Sequence, residues 1–253
     1  LFAKNSKSEV LSHEGEDGPM PSESSARGGA NRRQFLQTAL AGAVVGIAAQ
    51  SGVRLASARV VSAPTNLSPD GALEELLAGN GRFAANQLTS THQNFAALRE
   101  HTVEKQEPFA GVLSCADSRV PVELVFDQSI GQIFVTRVAG NFVTPEIIAS
   151  LEYGVAELGI RALLVLGHSH CGAVKAAMTA DAVPGQISSL FAPLRPAVVQ
   201  SNGDVDKAIA TNARLQAELL RTSSTVIREA ATTGKLKVAA GVYDIASGKV
   251  SVV

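Results

Sequence analysis

Tryptophan is absent from this 253-residue chain, tyrosine occurs twice, and aromatic residues make up only 4% of it. A surface that stacks nucleic-acid bases needs aromatics interleaved with basic residues, and a formal net charge of -1 denies the chain the basic excess as well. No nucleic-acid partner is expected. Cysteine is equally sparse, at two residues, which excludes a disulfide-rich scaffold and leaves at most one bridge. Both cysteines stand beside polar motif residues at the ends of predicted buried strands, a setting that suits a thiolate pair on a metal better than a structural bridge. The apolar run Ala39 to Ala49 is well short of the ~18 residues a membrane span requires.

What is present is concentrated in two segments, Gly111-Val-Leu-Ser-Cys115-Ala-Asp117-Ser-Arg119-Val-Pro121 and Gly167-His168-Ser-His170-Cys171-Gly172. They contain both cysteines and two of the five histidines. Phe109 to Ser114 and Ala162 to Leu166 are short apolar runs, each ending at a metal-ligand residue type, so both read as strands running into turns. Side chains at the carboxyl ends of neighbouring parallel strands converge on one crevice. Cys115, His168 and Cys171 then supply three ligands to a zinc ion, one per chain, whose fourth position stays open for water. Asp117, two residues past Cys115, is the expected hydrogen-bond acceptor beside the metal. Arg119, two further on, offers a planar fork that takes both carboxylate oxygens and keeps Asp117 off the ion. In a strand-like extension residues 115, 117 and 119 share a face.

Along the chain, residues Leu1 to Ala30 are rich in Ser, Glu and Gly and are expected to form a disordered leader. Arg32-Arg33 before Phe35-Leu36, the Ala39 to Ala49 run and Ala56-Ser-Ala58 make a secretory signal over 31–58 that looks like a twin-arginine signal, with cleavage expected after Ala58. Export to the periplasm follows, or to a thylakoid lumen in a photosynthetic source, with no stable membrane span after cleavage. The remaining 59–253 carry 16 Lys and Arg against 18 Asp and Glu and suffice for a single domain. Ser68 caps a helix with Pro69 at its first position and Leu73, Leu76, Leu77 and Phe83 on one face. A second helix is predicted from Phe95 to about Lys105. Both precede the sheet and have no strand of their own to cover, so their apolar faces are expected to pack on the sheet edge or on a second subunit.

From Phe109 strands and helices alternate, the sign of a parallel sheet with helices on both faces: an α/β fold. The spacing predicts a short helix or turn over Val120 to Phe126 and strands at Ile133 to Arg137 and Arg161 to Gly167. Helices are predicted over Thr144 to Leu158, Gly172 to Ala180, Ile187 to Gln200 and Val205 to Ala231. A strand at Lys237 to Asp244 and a hairpin arm to Val253 finish the pattern.

Cys115-x-Asp117-x-Arg119 followed 53 positions later by His168-x-x-Cys171 resembles the β-class carbonic anhydrases. The likeness extends over Phe134 to Asn141, Leu151-Glu-Tyr153, Gly167 to Val174 and Val242 to Gly248. It implies a zinc lyase that hydrates carbon dioxide reversibly to bicarbonate and a proton. The implied fold is β-carbonic anhydrase-like, a mostly parallel sheet of four to five strands flanked by helices with an N-terminal helical arm. It also implies a homodimer or tetramer with active sites near the subunit interfaces, Asp117 and Arg119 as the catalytic pair, and Gln106, Phe134, Tyr153 and Gly172 around the substrate. A tryptophan three residues before the first cysteine serves an allosteric bicarbonate site in one branch of the family. Val112 stands there, so no such regulation is expected. His170 is expected to make local hydrogen bonds, and His92 and His101 to be surface residues. Two other activities fit the same residues: hydrolysis of carbon disulfide or carbonyl sulfide, and non-catalytic binding of zinc or bicarbonate, which would need neither Asp117, Arg119 nor Gln106.

Overall fold

The computed structural model describes residues 66–179 and 181–253; the expected leader, signal and cleavage site lie outside them. In chain order the elements are α1 (Pro69–Ala84), a 3-10 turn (Ser90–His92), α2 (Phe95–His101), β1 (Ala110–Ser114), α3 (Val122–Val125), β2 (Ile133–Arg137), α4 (Pro145–Ala156) and β3 (Ala162–His168). They continue with α5 (Gly172–Thr179), a second 3-10 turn (Ile187–Leu190), α6 (Phe191–Ser201), α7 (Val205–Ser223), α8 (Thr225–Thr232), β4 (Lys237–Tyr243) and β5 (Val250–Val252). Among the described residues no helix is long and apolar enough to cross a membrane.

The strands form one sheet in the order β2-β1-β3-β4-β5, all parallel except β5, which pairs antiparallel with β4. β1 and β3 are buried along their whole length, as a parallel sheet covered on both faces requires, and this is why both read in sequence as unbroken apolar runs. Alternation then sorts their side chains. Val112, Leu164 and Leu166 join Ala72 and Leu76 of α1 on one face. Leu113, Leu163 and Val165 join Leu151 of α4, Ala213, Ala217 and Leu220 of α7 and Ile227 of α8 on the other. Chain order reverses at β1, with β2 on one side of it and β3 on the other, so the carboxyl ends of β1 and β3 open the crevice where such sheets take their ligands.

Ser68 caps α1 as expected, accepting from Gly71 N at 3.1 Å with Pro69 at the first position. The placement of α1 differs from expectation: it covers a face of the sheet, not its edge. Leu76 is fully buried there, worth about 2 kcal/mol by area. Gly79 makes the close approach possible, because a Cβ at that position would lie 1.8 Å from the Phe126 carbonyl oxygen. Asn80, also buried, donates to Val125 O at 3.1 Å and Gly248 O at 2.8 Å and accepts from Val250 N at 2.8 Å. α1 is thereby stapled to the terminal hairpin.

Three helix boundaries also move. α2 stops at His101, where Thr102 turns its hydroxyl back onto Leu98 O, a side-chain bond that competes with helix continuation. The helix expected from Ile187 begins as a 3-10 turn and becomes α-helical only at Phe191. The long helix over 205–231 is two, because buried Ser224 takes an extended conformation, accepts from Ile227 N as the cap of α8 and donates to Glu152 of α4 at 2.6 Å. A serine that can cap one helix and bond to another outweighs the continuous periodicity around it.

Candidate metal centre

Cys115 directly follows β1, His168 is the last residue of β3, and Cys171 directly precedes α5. Their ligand atoms lie within 4.8 Å of one another, and all three residues are buried. Both cysteines are free thiols. His168 is fully buried, and its Nδ1 lies 2.9 Å from the carbonyl oxygen of Ser169. That contact fixes the tautomer with the proton on Nδ1 and leaves Nε2, which has no hydrogen-bond partner, as a buried lone pair. An orphaned imidazole nitrogen facing two thiols is a donor set that fits tetrahedral zinc with one position open.

The two thiols titrate in opposite directions. Cys115 is pulled down, first by the hydrogen bond from Cys171; burial opposes this, and the backbone N–H groups of Gly140 and Asp117 add to it. Cys171 is pushed up, first by that same bond to Cys115, then by burial and by the Cys115 charge. Two thiolates within 4.8 Å of each other repel, so the uncompensated pair favours keeping one proton. A second thiolate requires a positive charge between them, which a divalent metal supplies as the proton leaves. For His168, burial lowers the pKa and the Cys115 thiolate outweighs it, giving a net rise.

Asp117 and Arg119 stand beside this cluster, but not on an extended strand. Residues 117–120 form a turn closed by Val120 N on Asp117 O at 3.1 Å, and the Asp117 side chain accepts from the Arg119 backbone N–H at 2.9 Å. The i, i+2 spacing thus works through an Asx turn, whose own backbone donor satisfies part of the carboxylate. Arg119 adds Nε to Oδ1 at 3.0 Å and Nη2 to Oδ2 at 2.8 Å, a two-pronged clamp. The Arg119 side chain holds the Asp117 carboxyl well below the usual carboxylate range against a desolvation cost. Oδ2 of Asp117 lies 3.8 Å from His168 Nε2, so an ionised acceptor faces the space that the three ligands leave open.

Several supporting contacts have no signature in the sequence motifs. Arg137, at the end of β2, donates to the carbonyl oxygens of Cys115 at 2.9 Å and Asp117 at 2.7 Å. Ser169 donates its N–H to Tyr243 O at 2.8 Å and its hydroxyl to Asp244 at 3.3 Å, and accepts from Ile245 N at 3.0 Å. The ligand loop is thus anchored to the far end of β4. His170 has a left-handed backbone, φ 56°, and its carbonyl accepts from Arg119, 51 positions away in the chain, at 3.3 Å, a long-range bond of the main chain where a local one was expected. A basic residue ending a predicted strand is the one hint the sequence offers for Arg137.

The expected substrate residues are not all gathered at the cluster. Gly172 adjoins Cys171 at the start of α5, with open space where a Cβ would stand. Gln106 and Tyr153 line a different opening of about 490 Å³, with Thr102, Lys105 and Glu157, and neither a metal-ligand residue nor Asp117 nor Arg119 borders it. The Phe134 ring lies 6.4 Å from that of Tyr153, which is half exposed at 49%. His92 and His101 are exposed, as expected.

The sequence profile of the family described as Carbonic anhydrase matches residues 110–250. A carbonic anhydrase of Mycolicibacterium smegmatis is 32% identical over 193 residues, covering 73% of this chain and 93% of that protein. Among solved structures, a Coccomyxa β-carbonic anhydrase in complex with acetazolamide superposes with a TM-score of 0.57 at 27% identity, covering 72% of this chain and 86% of that one. A tetrameric β-carbonic anhydrase of Sordaria macrospora gives 0.59 at 24% identity over 72% and 96% of the two chains, a likeness of fold.

Proposed function

The chain belongs to the β-class carbonic anhydrases, and on that premise we propose how its residues carry out the reversible hydration of carbon dioxide to bicarbonate. Cys115, His168 and Cys171 would hold the zinc. Bound there, zinc supplies the Lewis acidity that ionises water near neutral pH. Asp117 accepts a hydrogen bond from the attacking water and turns its free lone pair toward the carbon. Its carboxyl lies so far below the usual range that it stays an acceptor and does not keep the proton. Arg119 fixes both carboxylate oxygens, so Asp117 cannot swing inward to become a fourth ligand. The clamped carboxylate 3.8 Å from the buried imidazole nitrogen is the observation that carries this reading, since a site that only stored zinc would need neither residue. Stopped-flow hydration by zinc-loaded protein tests it. Activity should rise from neutral to alkaline pH and collapse in Asp117→Ala and Cys115→Ala; no activity with one zinc bound per chain would overturn it.

Gln106, Phe134 and Tyr153 act on the substrate from a second copy of the chain, in a homodimer or a tetramer built from dimers. The supporting observation is that Gln106 and Tyr153 line one opening apart from their own chain's metal cluster, with the Phe134 ring against that of Tyr153. Mixing Cys115→Ala with Gln106→Ala chains tests this, because a hybrid dimer regains one intact site. Activity of the mixture above the sum of the separate variants supports the arrangement, and a strictly additive result refutes it.

Export by the twin-arginine route to the periplasm, or to a thylakoid lumen, completes the proposal. It rests on Arg32-Arg33, the apolar run and Ala56-Ser-Ala58. N-terminal sequencing of the protein recovered from cells should begin at Arg59, and a start well upstream would refute cleavage after Ala58.

A further inference from the structure

Helix α7 carries two amides on its buried stripe. Asn212 and Gln216 are 1% and 5% exposed, one turn apart among Ile209, Ala213, Ala217 and Leu220. Burying an amide is costly unless it is bonded, and apolar residues of the same size would pack there at less cost. Both side chains are aimed at the loop between β2 and α4. Asn212 Nδ2 donates to Gly140 O at 2.9 Å. Gln216 Nε2 donates to Asn212 Oδ1 at 3.2 Å, and Gln216 Oε1 accepts from Val143 N at 2.9 Å. That loop has two consecutive residues in the left-handed region, Gly140 at φ 89° and Asn141 at φ 42°, so no regular ladder sets where its peptide groups point. Yet the Gly140 N–H points at Cys115 Sγ, 3.3 Å away.

We propose that Asn212, braced by Gln216, is a positioning residue for the metal centre. It grips the Gly140 carbonyl on one side so that the N–H on the other is held on the Cys115 thiolate. A hydrogen bond to a ligating sulfur withdraws electron density from it, tunes the charge it donates to the metal, and preorganises the ligand before the metal arrives. The pair is a relay from a helix that contributes no ligand to the sulfur that does. The inference presupposes the zinc reading above.

Cobalt(II)-loaded protein tests it. Asn212→Leu keeps the bulk and removes the donor; Leu220→Ala, on the same helix but outside the relay, serves as the control for mere loss of packing. The sulfur-to-cobalt charge-transfer band should move to lower energy in Asn212→Leu, and metal should pass to a chelator on the order of 10-fold more readily, with neither change in Leu220→Ala. A folded Asn212→Leu with wild-type band and metal retention overturns the proposal, as does an equal change in Leu220→Ala. Wild-type protein that binds cobalt without any thiolate band overturns instead the metal-centre reading beneath it. Because Asn212→Leu can fail to fold, cadmium-113 in the wild-type protein gives an independent measurement. The Gly140 amide proton should show scalar coupling to the metal through Cys115 Sγ, reduced in Gln216→Met. Absence of that coupling in wild type, or its persistence unchanged in Gln216→Met, refutes the relay.

Discussion

Replacing Asp127 by asparagine should cost the fold about 2–4 kcal/mol at neutral pH, and most of that cost should vanish in acid. The Asp127 side chain is fully buried and receives Arg82 Nε at 2.6 Å. It also receives Thr89 N at 2.9 Å, Thr89 Oγ1 at 2.7 Å and Ser90 N at 2.8 Å. Its backbone is left-handed at φ 49°, a conformation asparagine adopts as readily, so the substitution isolates the charge. Burial alone would raise this carboxyl; the Arg82 guanidinium and the donors of Ser90 and Thr89 outweigh it and hold the pKa at about 2. Against an ordinary value of about 3.9, at about 1.4 kcal/mol per unit, linkage gives on the order of 2.5 kcal/mol of stability. Because the folded value is the lower one, that contribution is complete above the unfolded pKa and is lost as pH falls through the folded one. About half should remain at about pH 3. Urea unfolding of wild type and Asp127→Asn, at one fixed protein concentration because an oligomer's stability depends on it, gives the difference at each pH. A gap below about 1 kcal/mol at neutral pH, or one that does not shrink in acid, would refute the reasoning.

Other substitutions address the site and its frame. Asp117→Asn should retain zinc, measured by elemental analysis, while kcat/KM for hydration falls by about 10²-fold or more. Cys171→Ser should lose zinc to a chelator that leaves wild type loaded, since a hydroxyl does not ionise where the thiol does. Gly79→Ala should lower stability by about 3 kcal/mol, read from the urea midpoint, because the new methyl meets the Phe126 carbonyl at 1.8 Å and backbone cannot give way as a side chain can. Arg137→Ala should slow hydration with the metal retained, since it frees the Cys115 and Asp117 carbonyls without touching a ligand atom.

The metal cluster was legible in sequence because its ligands sit at the ends of two central strands, and central parallel strands announce themselves as apolar runs. Asp117 and Arg119 were found for a partly mistaken reason: a turn with its own backbone bond, not a pleated strand, brings them together. Strand reasoning fails where a strand has just ended and local side-chain bonds govern. The covering of the sheet by α1 was missed because Gly79 and Asn80 owe their meaning to Phe126, Gly248 and Val250, contacts no local window contains. Asn212 and Gln216 did leave a trace, two amides on a largely apolar helical stripe, which is a departure from amphipathic pattern that asks for a buried partner. Gln106 and Tyr153 could not be located relative to the metal from one chain's sequence by any periodicity.

The anchoring of Ser169 to Tyr243, Asp244 and Ile245 has a consequence in time. All three zinc ligands are synthesised by the moment Cys171 leaves the ribosome, yet the loop that carries two of them is held by a segment made some 75 residues later. Asn80 waits longer still, for partners 168 and 170 residues on. Early ligands with a late frame mean that a growing chain offers two thiols and an imidazole on unfixed loops, open to oxidation or to the wrong ion. Tight, selective capture is therefore expected only once β4 and the hairpin have closed, in the finished chain and not the nascent one.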